Sequence, residues 1–385
     1  MARFLSNPKV LAVVLVVGVL FLVGLLGGAL GDSLFGTGFL KSPVAHIQLP
    51  SEHLFTDPFI SLGPPGQGSF FITNSMLATW VTILVLISVA LLVRRRLSLV
   101  PRGLQNLVEV IFEAFLGLVE SVAGAEKGRR FFPLVITIFL FIVTANWLGI
   151  LPGFGTVGRL ETADYIIEET RHRIEEKGEK EHKTIAVIEH EIEAELKRLK
   201  LQVYDGSGSV SFMPLGTGTK EITAYEYEEM KGKGDLEGRR VGLLVPFLRS
   251  ANTDLNSPLS IALIAMFMVE FWGIKALGFF GYGRKFINIG SLLRGKPFGI
   301  IDAFVGTLEG VSEFARLISF TFRLFGNIFA GEVLLVAMGF LIPLVGIAPF
   351  FGLELFVGFI QAFIFAMLTL VFAVMATAVH ESGEH

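Results

Sequence analysis

Long apolar runs alternate with short charged or proline-bearing joints along this chain. The first run is Val10–Leu30 (VLAVVLVVGVLFLVGLLGGAL), preceded by Arg3 and Lys9. A basic flank, an apolar core and small residues after it suit a signal peptide or a signal anchor; the length of the run favours a retained anchor. A polar segment with His46 and His53 follows, either at the surface or lining an external entrance. The next apolar run is about Met76–Val93, stopped by Arg94, Arg95 and Arg96. Further runs lie at about Phe132–Leu151 and Pro258–Phe280. Uninterrupted apolar stretches of this length predict spanning helices.

The last two runs are longer. No proline interrupts the helical pattern from Asp302 to Ile342. A helix of that length would measure about 60 Å, against a hydrocarbon core of roughly 30 Å. It must tilt strongly, kink at its glycines, or break in two. The final helix, about Pro349–Val379, is also over-long.

Two stretches break the spanning pattern. In Gly103–Val122, Leu104, Leu107, Ile111, Phe115 and Val119 recur at helical spacing among Gln105, Asn106, Glu109, Glu113 and Glu120. That predicts an amphipathic helix, lying on the membrane surface or packed on partner helices. Residues Arg159–Arg240 are charged, with a glycine- and serine-rich stretch within them. Ile185, Ile188, Ile192, Leu196 and Leu199 form a narrow apolar stripe there, which predicts a solvated helix in a hairpin or coiled-coil arm.

Composition agrees with the pattern. Of 385 residues 52% are hydrophobic and only 17% charged, against about 25% charged in ordinary soluble domains. Cysteine is absent, which excludes a disulfide framework, an iron–sulfur site and a cysteine nucleophile. A net charge of −3 gives no argument for nucleic-acid binding. The predicted class is an all-α polytopic membrane protein. Basic clusters at Arg94–Arg96, Lys127–Arg130 and Arg284–Lys296 predict the cytoplasmic side, which puts the charged insertion outside and the C-terminus inside.

Polar residues inside the last spans carry the candidate chemistry. Arg323 sits in FTFRLFGNIFAGEVLL (Phe320–Leu335). A central arginine costs about 2.5–3.5 kcal/mol on insertion scales, and it cannot shed its proton. At about 100° per residue, Glu309, Arg316, Ser319, Arg323 and Asn327 share one stripe, while Glu332 lies about 180° from Arg323. Glu354 and Gln361 share a face of the final helix, and Asp254 introduces the span before these. Such residues could satisfy one another inside a bundle; by default they mark ion or substrate paths. No phosphate-loop pattern precedes a helix. His172, His182 and His190 have spacings unlike helical metal ligation, so neither a metal nor a cofactor is predicted.

These residues resemble one family closely: subunit a of the rotary F-type ATP synthase of bacteria and chloroplasts. RLFGNIFAGE (Arg323–Glu332), IQAFIFAMLTLVF (Ile360–Phe372), VPRGLQNLVEVIFE and NTDLNSPLSIAL carry the resemblance, which runs from about Phe71 to the C-terminus. The family's fold has five membrane helices and a surface helix, the last two long and tilted. The resemblance implies a proton-translocating stator subunit in the bacterial inner membrane, non-catalytic by itself. Its partners would be a c-subunit ring, peripheral-stalk b subunits, the rest of the synthase and the lipid bilayer.

Arg323 matches the family's gating arginine between two aqueous half-channels. Asp254, Glu332, Glu354 and Gln361 match inlet or near-arginine positions, and Ser319 and Asn327 positions near the outlet. Glu309 and Arg316 align with polar positions of lesser functional weight. The expected organisation is then a signal peptide or anchor at 1–31 and an external segment at 32–70. Membrane helices and the cytoplasmic-side amphipathic helix follow at 71–158, the external insertion at 159–240, and the proton path and ring-facing surface at 241–385. The first apolar run and the insertion depart from the family pattern. So does the glutamate pair Glu332/Glu354, where relatives often pair an acid with a histidine. A solute transporter binding an anion at Arg323 and a purely structural scaffold are the alternative classes.

Overall fold

The computed structural model describes residues 8–36, 51–54, 60–61, 69–95, 97–151, 154–155, 157–204, 210–212, 220–236, 239–286 and 299–378. His46, Arg96, Arg294, Lys296, His380 and His385 lie outside the described residues. Among the described residues, six helices are long and apolar enough to cross a membrane. They are α1 (Pro8–Gly27), followed by the short α2 (Ala29–Phe35); α3 (Asn74–Arg95), with the two-residue strands β1 (Ile60–Ser61) and β2 (Ser69–Phe70) before it; and four more given below in chain order. The chain is an all-α polytopic membrane protein with a small mixed module inserted in it.

After α3 comes α4 (Leu104–Ala123), the amphipathic helix, then α5 (Ala125–Ile150). Gly124 alone separates them, at φ 75°, a left-handed conformation that glycine adopts without a Cβ penalty. The reversal folds α4 back along α5. Only the C-terminal half of the apolar stripe is buried there: Phe115 lies 4.2 Å from the Phe139 ring, and Val119 is enclosed, while Leu104 and Leu107 stay exposed. Thus α4 both packs on a partner helix and presents an apolar flank.

The chain divides into two compact units, one comprising Met1–Asn74, Leu151–Arg249 and Gly331–Leu353, the other Ser75–Ile150, Ser250–Ala330 and Glu354–His385. The first unit holds the insertion. In place of the expected helical arm, the insertion folds as an α/β module. Its elements are β3 (Val157–Thr162), α6 (Ala163–Lys180), α7 (Ile185–Arg198), β4 (Lys200–Tyr204), β5 (Val210–Phe212), β6 (Lys220–Thr223), α8 (Ala224–Lys233) and β7 (Arg240–Pro246). The strands form one antiparallel sheet in the order β5-β3-β7-β4-β6.

The entering strand β3 and the leaving strand β7 are neighbours, with Leu160 opposite Leu244, so the module is set into the chain at one place. The α7 stripe is real, but its partner is this sheet. Ile192 and Leu196 pack with Ile166, Ile167, Leu201, Ile222, Tyr227 and Leu243 in a core of its own, and Ile185 stays exposed. Burying each such aliphatic side chain contributes about 1.5–3 kcal/mol. A capping box starts α8: Thr223 Oγ1 accepts from the Glu226 amide at 3.1 Å, and Glu226 accepts from the Thr223 amide at 2.8 Å.

Also in the first unit, α1 meets the turn at Pro343. A Cβ on Gly24 would overlap the Pro343 carbonyl oxygen, and one on Gly28 the Pro343 ring. The rest of α1 is largely exposed, as valine and leucine side chains facing lipid would be.

The second unit contains α9 (Asn256–Leu277), the short α10 (Phe279–Phe286), and most of α11 (Gly299–Leu341) and α12 (Ala348–Ala376). The α11 helix is continuous over 43 residues, so of the three expectations the break is excluded. Phe320, Leu324 and Ile328, four residues apart, form its buried seam. That seam meets Phe365, Ala366, Leu370 and Ala373 of α12, with the Phe320 and Phe365 rings 4.7 Å apart. In lipid such contacts hold by close packing rather than by escape from water.

Candidate functional site

One residue before each position of that buried seam lies Ser319, Arg323 or Asn327. A one-residue offset turns a side chain by about 100°, so this stripe runs beside the seam, and all three residues are exposed. The apolar side chains of Phe314, Ile318 and Phe322 around it are exposed too. Among the described residues, the Arg323 guanidinium makes neither an ion pair nor a hydrogen bond. Its backbone is held from the other side: the buried Gln361 of α12 donates its Nε2 to the Arg323 carbonyl at 2.7 Å. The helix is therefore tied to α12 at the arginine while the cation points elsewhere.

Arg316 shows what a partnered arginine looks like on the same helix. It bridges Glu313 at 2.6 Å and Glu309 at 3.9 Å, and its guanidinium lies 4.7 Å from the centre of the Phe372 ring. The stripe drawn from sequence is thus two things. Glu309 and Arg316 satisfy each other together with Glu313, and Ser319, Arg323 and Asn327 are open.

Glu354 and Gln361 share the buried face of α12, each about 5% exposed. Between them the Gly358 carbonyl accepts from Asn146 Nδ2 at 3.2 Å, and Asn146 Oδ1 accepts from Asn252 at 2.7 Å. Asp254, also buried, accepts from Ser75 Oγ at 2.9 Å and from the Asn256 amide at 3.3 Å. The second unit therefore carries a series of buried polar groups from α3, α5, the entry to α9, and α12. The sequence reading missed Asn146, Asn252 and Ser75. Asn146 had a signal, being the one amide inside the apolar run of α5; the other two sit at helix entrances, where polar residues are ordinary.

Glu332 belongs to the first unit. Its carboxylate meets Arg249 at 3.4 Å, and the Arg249 side chain is about 5% exposed. Glu52 adds a second acid. Its backbone carbonyl accepts from the Asn74 amide at 3.1 Å and its carboxylate from Asn74 Nδ2 at 3.2 Å. Next to it the His53 ring stacks on Phe71 at 4.1 Å. Burial pushes Glu52 up to about 7; Arg249 and the Asn74 hydrogen bond oppose the rise, and Glu161 and Glu332 add to it. Burial also raises Glu161, against the pull of Arg159. Among the described residues no group of three His, Asp or Glu is placed to hold a metal ion. His172 lies on the module surface, 3.7 Å from Glu175.

The fold and site define an integral membrane protein that keeps charged and amide groups along its last helices. Residues 76–169 and 236–374 match the ATP synthase A chain family, and the chain belongs to it. The two matched segments flank the module, which lies largely outside them. Among curated relatives, ATP synthase subunit a of Campylobacter jejuni (strain 81-176) is 26% identical over 299 residues, covering 77% of this chain and 87% of the relative. ATP synthase subunit a of Helicobacter pylori (strain 26695) is 26% identical over 312 residues, covering 81% and 92%.

Proposed function

We propose that this chain is the proton-conducting stator subunit of a rotary ATP synthase, with Arg323 as its gate. The observation that carries the reading is the exposed guanidinium, unpartnered among the described residues, within a spanning helix whose backbone is tied by Gln361. A cation of that cost needs an anionic partner, and the open stripe offers it to another subunit. A ring of c subunits, each with one intramembrane carboxylate, supplies such a partner.

The chemistry follows from desolvation. A ring carboxylate facing lipid is neutral, because burial disfavours its charge; facing a permanent cation it ionises and gives up its proton. Asp254, Glu332, Glu354 and Gln361 belong to the inlet side of this path, and Ser319 and Asn327 to the outlet. Glu309 and Arg316 are a secondary, mutually satisfied pair. Arg323 separates the half-channels, since a proton arriving on either side meets a charge that repels it. Lysine would be a weaker gate, because burial can neutralise it.

In this reading the subunit catalyses nothing alone. It assembles with the c ring, the peripheral-stalk b subunits and the rest of the synthase in a bacterial inner membrane. The C-terminus is cytoplasmic and the module external. Transmembrane potential then supplies about 2.3 kcal/mol per charge per 100 mV.

The test is Arg323→Gln in the intact complex, reconstituted in sealed vesicles. ATP synthesis under an imposed proton gradient should be lost while the ring stays bound. Undiminished synthesis would overturn the gate assignment and return the search to solute uptake.

A further inference from the structure

Three carboxylates and one buried arginine come within electrostatic reach in the first unit, brought there by four separate stretches of chain. Arg249, just after β7, bridges Glu332 on α11 at 3.4 Å. Glu52 stands within electrostatic reach of Arg249, Glu332 and the Glu161 carboxylate of β3. Arg159 pairs with Glu161 at 3.5 Å, and Glu169 also acts on that carboxylate. Residues 52–54 are pinned to the chain entering α3. Asn74 takes both the carbonyl and the carboxylate of Glu52, Leu54 donates to the Ile72 carbonyl at 2.9 Å, and His53 pairs with Thr73. Asn74 is fully buried and Glu52 half-buried. An acid on an external segment is therefore held in one place, beside the ion pair of an intramembrane acid.

We propose that Glu52 is the proton-loading carboxylate at the outer entrance of the path, exchanging with external water and passing its proton to Glu332. The inference rests on the inlet reading of Glu332 given above. A proton from external water neutralises the Glu52 carboxylate. It then leaves the Glu52 carboxyl for the Glu332 carboxylate, and Glu52 returns to its ionised form, so charge and protons balance at each transfer. Arg249 contacts the accepting carboxylate of Glu332 at 3.4 Å and so fixes its position. Burial favours protonation of Glu52, Arg249 and the Asn74 hydrogen bond oppose it, and Glu161 and Glu332 add to it; the result is a carboxyl raised to about 7, where a relay gives and takes protons most readily. The module takes part through β3, which supplies Glu161 and Arg159.

The experiment measures ATP synthesis by the reconstituted complex at fixed membrane potential and fixed internal pH, as external pH is varied. Glu52→Gln keeps an acceptor for Asn74 but carries no proton. It should lose synthesis several-fold at about pH 8, where protons are scarce, and much less at about pH 6. Glu52→Asp should retain most of the alkaline rate. A Glu52→Gln profile superimposable on the parent, or reduced equally at every pH, would overturn the proposal, the second by showing a structural role alone.

If Glu52→Gln does not assemble with the ring, Asn74→Ala is read instead. Loss of its hydrogen bond should move the midpoint of the profile to higher pH, and an unmoved midpoint would overturn the proposal. Arg323→Gln is measured alongside. Its retention of synthesis would overturn the gate reading itself, whereas its loss together with an unchanged Glu52→Gln profile would sink only the relay.

Discussion

At the scale of single residues, two arginines on one helix behave differently. Arg316 has Glu313, Glu309 and the Phe372 ring around it. Arg323, seven positions on, has its carbonyl held by Gln361 and its cation open. The first has its partners within the chain; among the described residues the second has none. Glu52 gives a prediction at the same scale. Its carboxyl is raised by burial to about 7 in the folded chain, above the usual carboxylate range near 4. The folded state therefore binds more protons than the unfolded state between those values. By linkage the contribution of Glu52 is most favourable below the unfolded value and is lost as pH rises through about 7. Thermal unfolding of the detergent-solubilised complex should show a midpoint falling over that window, with a smaller fall in Glu52→Gln. An equal fall in both would contradict the assignment.

At the scale of elements, the helices were legible because their signal is long and apolar. The runs at Met76–Val93 and Pro258–Phe280 became α3 and α9 with ends shifted by a few residues. Arg323, Glu332, Glu354 and Gln361 were legible as candidates for the same reason: a polar residue stands out against an apolar background; Asp254, in a polar helix entrance, rested on the family resemblance. The module was not. Its strands are three to seven residues long, and LQVY or KEIT in a charged context gives too few alternations to outweigh the helical stripe of α7. Glu52 had no sequence signal, because its meaning depends on Arg249 and Glu332, far along the chain. The module's own core makes a prediction. Leu201 is fully buried there, so Leu201→Ala should destabilise the module by about 2–5 kcal/mol. Limited proteolysis would show faster cleavage between α6 and β7, with the spanning helices left intact; unchanged cleavage would mean that the sheet does not hold the module together.

At the scale of the whole molecule, the segments that match the family flank most of the module between α5 and α9, and α1 lies before them. Helix α1 and the module share the first unit with Glu332, and the second unit holds Arg323, Asp254, Glu354 and Gln361. The inlet residues of the proposed mechanism are thus divided between the unit that contains the module and one that is almost wholly helical. In the proposed mechanism the open stripe of α11 faces the rotating ring, and the absence of native cysteine allows that to be tested by single thiols. The measurement is disulfide formation, in the assembled complex, between Asn327→Cys and a cysteine placed beside the ring carboxylate, with Ile328→Cys on the buried seam as comparison. A cross-link is expected from position 327 and none from position 328. A cross-link from position 328 alone, or from neither, would contradict the proposed mechanism.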